Sequence, residues 1–572
     1  MFKQPIVESW SELSRSDSIA QPNQHRQSIL KSWNRMRAAW KLLILACLIL
    51  GLLFRLIDLD RKVYQYDETF TSLRVSGYTE TEAVQTLTEQ QFISVADLQR
   101  YQQPNSQRSV VHTIGGLAAE EPQLTPLYFV LTKLWASLFG GSIVSIRLLS
   151  AIFNLLALPL LWWLIVELFT SPTAAWLSVS LMAVSPFQML YAHEARPQSL
   201  WLLMTIASST LLLRAIRRQT ATTWLLYSVA MTLNLYSFLF SGFVAVAHGI
   251  YLLGISRFRL SRTGIWGGLA IGLSLIAFLP WLLAVATNIN QVNVAVNWTI
   301  RDQLTFTEAA KMLLHHLSVT FIDRGEVTLP LPIRTAFSLI KWAVRLLLLY
   351  GLYVLCRKAP LRISLFILTL TLIPLLGLLL PDLLLGGTRS TVPRYAVPFY
   401  LGLNLVLTFL LTRELLPAVA SSWRRQMVWR AITITVLTGS VVSCLLIAHS
   451  DRWWSKMISN NNRELAQIIN QANRPLVVSD AGSGDLFSLS HYLDPEIKLL
   501  VRPQCYTCKI NRSLVEQPFL PPIPAGYSDV FLFQPRPTKS WLKRLSEKAP
   551  YRLIVLSEGF DNWLWKIDSK RN

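Results

Sequence analysis

The sequence predicts an α-helical polytopic membrane protein of about eleven transmembrane helices, followed by a small extracytoplasmic α/β domain at its C-terminal end. Three observations carry this expectation. Of 572 residues, 52% are hydrophobic and only 15% charged, and the mean hydropathy is +0.38. Runs such as Leu42–Leu53, Trp201–Leu213 and Leu346–Leu355 are almost free of charge, so lipid is the solvent they match. The net charge of +21 gathers in clusters between these runs, as the positive-inside bias requires of cytoplasmic segments. No basic face interleaved with aromatic residues is present, so nucleic acid is not an expected partner.

The apolar segments fall at roughly 42–57, 145–168, 173–192, 198–213, 222–239, 241–256, 264–286, 336–356, 363–381, 394–412 and 430–449. Residues 1–40 precede the first, which reads as a signal anchor with a cytoplasmic N-terminal segment. On that orientation the clusters around Lys31/Arg35/Lys41, Arg214/Arg217/Arg218, Arg257/Arg259/Arg262, Arg357/Lys358/Arg362 and Arg413/Arg424/Arg425/Arg430 all face the cytoplasm. Leu127–Phe139 is apolar but too short to span, and counting it would turn the later clusters outward, so it reads as an interfacial or re-entrant helix closed by Gly140 and Gly141. The transmembrane domain is thus 41–449, with a long first outer loop at 58–144 and further outer segments at 193–197, 287–335 and 382–393. The tail, 450–572, changes character. Pro475–Ser479, Ile497–Val501, Asp529–Phe533 and Tyr551–Leu556 read as short buried strands, with a helix over 538–548.

Candidate chemistry lies in the outer segments. Asp67-Glu68 stands in the aromatic setting Tyr64-Gln-Tyr-Asp-Glu-Thr-Phe70, just beyond the first span. A carboxylate there can take the proton of an acceptor hydroxyl while its neighbour orients the site; two adjacent acids on a loop are also common on a solvated face. Glu194 is the one acid between Glu167 and Asp302, at the outer end of a span with His193 and Arg196 beside it. A membrane-edge ion pair is the bland alternative, but ionisable groups near a span default to function. Arg389-Ser-Thr-Val-Pro-Arg394 places two arginines outside, against the charge bias. A guanidinium grips a phosphate bidentately, or snorkels to head groups. His315-His316 point different ways on a helix and make a poor metal pair. The cysteines Cys47, Cys356, Cys444, Cys505 and Cys508 form no zinc framework, and the Cys505/Cys508 pair suits a local disulfide or inert thiols better than redox catalysis.

These residues resemble a known group. The Asp-Glu pair after span one is followed by Glu121-Pro-Gln-Leu-Thr-Pro-Leu-Tyr128, a short helix ending Phe-Gly-Gly, Ser145-Ile-Arg-Leu-Leu-Ser150, Ser185-Pro with Tyr191-Ala-His-Glu-Ala-Arg196, and a late Arg394-Tyr395. In order and placement they are similar to the GT-C glycosyltransferases of the protein O-mannosyltransferase and aminoarabinose transferase group (glycosyltransferase family 39-like), well over residues 40–240 and loosely over 380–412. The resemblance implies inverting transfer from a polyprenyl-phosphate sugar to a lipid, glycan or protein acceptor in the cell envelope. It implies Asp67 as base, Glu194 at the acceptor or metal site, and Arg196 and Arg394 on the donor phosphate, with Arg389 a further candidate. A divalent cation is the alternative to arginine for the departing charge, with His193 its candidate ligand; no other cofactor is implied. Many relatives carry His or Lys before a Pro-Pro-Leu-like segment where this chain has Glu121-Pro-Gln, and the O-mannosyltransferases append β-trefoil modules that this tail lacks, so the acceptor does not carry over.

Three other readings compete. A transporter or flippase would show broken charged helices and repeat symmetry. A scaffold presenting the tail would leave the acids unexplained, and a polysaccharide polymerase or ligase would rest on outer arginines and histidines. If the transferase reading holds, Asp67, Glu194 and Arg394 have to converge on one outward cavity, because a single sugar-phosphate must reach all three.

Overall fold

A computed structural model describes residues 37–90, 92–300, 302–415, 422–453, 456, 458–508, 524, 526–534, 551–558 and 563–569. Each expected apolar segment lies in helix. Seven helices are long and apolar enough to cross a membrane, and a pair bent by 61°, Pro172–Ala183 and Pro186–Ala192, makes an eighth. The helices Ala221–Ser237, Ser241–Ile255 and Val397–Leu415 occupy the other three positions. The first two have 17 and 15 residues, and the third ends in the charged pair Arg413-Glu414, whose members bond each other. Such helices reach across only when neighbours cover their ends. The bend in the pair is held by Arg55 of the first span. Its buried guanidinium donates to the Met182 and Ala183 carbonyls at the break.

Leu127–Phe139 is a helix of 13 residues, buried at Tyr128, Phe129, Thr132, Lys133 and Ala136 while Leu134, Leu138 and Phe139 are exposed. That pattern suits a helix lying along the bilayer rather than through it. The first loop also contributes Tyr66–Ser76, Glu80–Glu89 and Val110–Glu120, and a two-residue strand β1, Ile93–Ser94.

The tail forms strands β2 (Pro475–Ser479), β3 (Lys498–Val501), β4 (Asp529–Phe533), β5 (Tyr551–Glu558) and β6 (Trp563–Ser569). With β1 they build one sheet in the order β1-β3-β2-β4-β6-β5. β2 pairs parallel with β3 and β4, and the other pairings are antiparallel. The alternation of Leu476/Val478/Leu532 against Val477/Phe531/Phe533 buries both faces, which is why these strands read as unbroken apolar runs. The second set packs with Phe70, Leu73, Ala83, Leu87 and Leu98 of the first loop. Loop and tail therefore share one core and one side of the membrane. The expected helix over 538–548 lies outside the described residues, whereas β1 and β6 were not legible as strands. β1 is too short for a periodic signal, and β6 mixes Trp565, Lys566, Ile567 and Asp568.

Two buried carboxylates tie the loop in place. Glu68 accepts from Arg147 Nε and Nη2 at 2.8 and 2.6 Å, from Gln65 N at 3.0 Å and from Ala195 N at 2.8 Å. The same guanidinium donates to the Leu59, Lys62 and Val63 carbonyls. Glu80 accepts from Ser483 Oγ, Tyr506 N and both donors of Thr507 at 2.6–2.7 Å, holding a tail loop that Cys505 and Cys508 close as a disulfide. Burial, working against these donors, raises the Glu80 carboxyl pKa.

Removing one member of a fully buried ion pair strands the other, at about 3–5 kcal/mol. Arg147→Ala is therefore expected to lower the melting midpoint of the purified chain by several degrees. The Glu68→Gln/Arg147→Ala pair should cost less than the two single changes together; additive costs would show that the pair does not hold the loop.

Candidate active site

Successive residues on a helix point about 100° apart, so the adjacent acids of Tyr66–Ser76 diverge. Glu68 turns into the protein toward Arg147, and Asp67, in the first turn where the helix dipole favours a carboxylate, turns outward with 26% of its side chain exposed. Asp67 Oδ2 pairs with Arg394 Nη1 and lies 2.7 Å from Lys456 Nζ. Lys456 also pairs with Glu194 Oε1, so one ammonium bridges the two carboxylates. Arg196 Nη1 donates to the Asp67 carbonyl at 3.0 Å. Asp67, Glu194, Arg196 and Arg394 thus meet in one cluster with Lys456.

Each partner is placed by a different element. Glu194 and Arg196 lie in the turn between Pro186–Ala192 and Gln198–Arg218, and that turn is pinned by Ala195 N on Glu68. Arg394 stands in the one-turn helix Pro393–Tyr395, before Val397–Leu415. Its guanidinium lies 5.5 Å from the rings of both Trp298 and Tyr395, and Tyr395 is wedged against Phe240. Stacking of this kind fixes a guanidinium plane while leaving its donors free. Tyr66, Phe70 and Tyr506 form a neighbouring aromatic wall, their centroids 5.1–6.4 Å apart.

The electrostatics keep Asp67 ionised. Burial works to raise its pKa, but Arg394, Lys456 and Arg196 outweigh it and hold the carboxyl well below the usual carboxylate range. The cluster is not fully satisfied internally. Glu194 Oε2 and Arg196 Nε are buried without a hydrogen-bond partner among the described residues, and buried polar atoms left open in this way call for a ligand or water.

Other candidates are placed elsewhere. Arg389 Nη1 donates to Asp382 Oδ1 at 2.9 Å and Gly386 O at 3.3 Å, so it braces its own turn rather than Asp67. His193 also departs from expectation: its Nε2 lies 2.7 Å from the Phe54 carbonyl, and burial lowers its pKa to about 3. The ring is a tie between elements, and it belongs to no group of metal-ligating side chains among the described residues. His316 engages Tyr400 and the Ser390 carbonyl with its two ring nitrogens. The one such group, Glu80 with Cys505 and Cys508, has its sulfurs in the disulfide. Lys456 was not legible in advance. It stands in the polar stretch 450–463, and only the docking of the tail onto the first loop brings it to Asp67.

With this geometry in hand, known proteins can be compared. Residues 121–283 match the model of the dolichyl-phosphate-mannose-protein mannosyltransferase family, a stretch that includes Arg147, Glu194 and Arg196 but not Asp67, Arg394 or Lys456. No curated protein sequence matches the chain. Among solved structures, ArnT from Cupriavidus metallidurans bound to undecaprenyl phosphate superposes with a TM-score of 0.50 at 13% identity, covering 93% of this chain and 98% of that one. The apo oligosaccharyltransferase of Archaeoglobus fulgidus gives 0.47 at 10% identity, over 82% and 65%. The arabinofuranosyltransferase AftD from Mycobacteria gives 0.43 at 13%, over 89% and 40%. The membrane-embedded fold is of the GT-C type. Within that type, its central segment is similar to the protein mannosyltransferase family.

A depressed carboxyl pKa stabilises the fold above the unfolded value, ~3.9 for Asp, and that contribution fades as pH falls toward the folded value. Lys456→Met and Arg394→Gln relieve the depression at Asp67. The drop in melting midpoint between about pH 5 and pH 2 should therefore be smaller in each variant than in wild type; an unchanged drop would remove Asp67 as the group responsible.

Proposed function

We propose that this chain moves a sugar from a polyprenyl-phosphate donor to an acceptor hydroxyl on the outer face of the membrane, with inversion and with Asp67 as base. The observation that carries the reading is the Asp67 cluster: one ionised carboxylate among Arg394, Lys456 and Arg196, beside two open buried polar atoms. A base alone would need no such surplus of donors. A departing phosphate would, since fixed cations at the leaving group stabilise charge where it develops. The structural neighbour solved with undecaprenyl phosphate supports a lipid-phosphate ligand for this fold, and the outward placement follows from the charge distribution of the spans.

The reaction uses the cluster in sequence. The donor phosphate takes Arg394 and Arg196 as bidentate partners, and as these leave Asp67 its proton affinity rises. The acceptor oxygen attacks the anomeric carbon from the face opposite the phosphate. The carbon–oxygen bond to phosphate breaks, the phosphate keeps the electron pair, and Asp67 takes the hydroxyl proton. Lys456 pairs with both the Asp67 and Glu194 carboxylates, the residues that would otherwise hold a divalent cation, so this chain's own ammonium supplies that charge.

Asp67→Asn should fold normally and lose about 10²–10⁴-fold in transfer, read as radiolabelled sugar passing from polyprenyl-phosphate donors to endogenous acceptors in membranes. Wild-type turnover by that variant would end the reading. In wild type the acid limb of the pH profile, where Asp67 becomes protonated, should lie on the acid side of neutrality and move up in Lys456→Met. A chelator should leave transfer intact; abolition restored by a divalent metal would show that Lys456 does not replace the cation.

A further inference from the structure

The helix Leu331–Lys358 carries cations where a lipid-facing helix usually carries none. Arg334, Ser338, Lys341 and Arg345 recur at steps of four, three and four, which places them on one face. Around them Leu331, Ile333, Leu339 and Trp342 are exposed, as side chains that meet lipid are. Arg345 lies 4.7 Å from the Trp342 ring, and its Nε is buried without a hydrogen-bond partner among the described residues. Ionisable groups within a span are costly and are a functional signal. The face opens onto a cavity of about 400 Å³ whose polar lining is Arg324, Arg334, Thr335, Ser338 and Lys341.

The charges there are not balanced. Lys341 pairs with Asp323 at 3.2 Å, Arg324 donates to the Val327 carbonyl at 3.2 Å, and Arg334 makes no ion pair among the described residues. Three cations against one carboxylate leave two positive charges, and Glu326 is exposed and outside the lining. Leu331–Lys358 turns back into Leu361–Leu385 within two residues, so the cavity opens on the membrane face that carries Asp382, Arg389 and Arg394. It shares no residue with the Asp67 cluster.

We propose that this cleft is a second lipid-phosphate site, which receives the phosphomonoester head of the carrier lipid after it leaves the Asp67 centre. The proposal rests on the glycosyl-transfer reading. While the sugar is attached, the donor phosphate is a diester with one negative charge. Once the anomeric carbon–oxygen bond has broken it is a monoester with about 1.5 to 2. Two uncompensated cations at the mouth match the monoester, and the exposed apolar ridge beside them gives its single chain a track. A two-chain phospholipid, with a diester head, fits the charge less well. Such a site draws the spent carrier sideways and clears the centre for the next donor.

The test is binding to the purified full-length chain by native mass spectrometry, with undecaprenyl phosphate, phosphatidylglycerol, inorganic phosphate and undecaprenol as probes. Wild type should take two equivalents of undecaprenyl phosphate. Arg324→Gln/Arg334→Gln should take one, with the second weakened about tenfold or more, while Arg394→Gln keeps the cleft's equivalent. Neither undecaprenol nor equimolar phosphatidylglycerol should compete, and inorganic phosphate should do so only at far higher concentration. Two equivalents at wild-type affinity in the double variant would overturn the proposal, as would equal competition by phosphatidylglycerol or by inorganic phosphate. Should the double variant fold poorly, the exposed Arg334→Gln alone gives the same readout. A chain that keeps the cleft's equivalent yet transfers no sugar would count against the parent reading and not against this site.

Discussion

Glu68 and Arg147 are both withdrawn from solvent and joined by two hydrogen bonds. Their other hydrogen bonds reach three other parts of the chain: the 59–63 carbonyls, the Gln65 amide and the Ala195 amide. A single buried pair therefore joins the exit of the first span, the start of Tyr66–Ser76, the second span and the turn that carries Glu194 and Arg196. A buried pair contributes little stability compared with a well-packed apolar substitute. Its value is in fixing geometry, because a bidentate guanidinium tolerates few arrangements.

That rigidity serves a centre which is itself electrostatically poised. Asp67 pairs with both Arg394 and Lys456, so their cations are compensated in a partly buried site. On the proposed reading, exchange of one anion for another costs less than bringing a phosphate to a bare cationic pocket, and the exchange would raise the proton affinity of Asp67. The rings of Trp298 and Tyr395, each 5.5 Å from the Arg394 guanidinium, help hold that side chain in place.

The tail is built into the body that carries the Asp67 cluster rather than appended to it. Its sheet shares a core with the first-loop helices, Glu80 clamps the disulfide-closed loop that carries Tyr506, and Lys456 reaches from the polar connection into the cluster. A short apolar helix, Leu127–Phe139, lies alongside and sends Lys133 to the Val75 carbonyl at the far end of Tyr66–Ser76.

The sequence by itself determined the helical membrane architecture, the four tail strands with unbroken apolar runs, and the candidacy of Asp67, Glu194, Arg196 and Arg394. Those features follow from local physics: the match of apolar length to a bilayer, the alternation of basic clusters, and the rarity of acids and outward arginines near spans. Only the tertiary structure decided how the candidates divide. Asp67 and Glu68 are chemically alike and adjacent, and the helical rotation between them sends one to the open cluster and the other to Arg147. Arg389 and Arg394 look equivalent in a linear motif, yet Asp382 takes the first and Asp67 the second. His193 resembled a ligand until the Phe54 carbonyl claimed its ring. Lys456, nearly four hundred residues from Asp67, had no local signal at all, because an ordinary lysine gains its meaning only from the two carboxylates that folding brings to it.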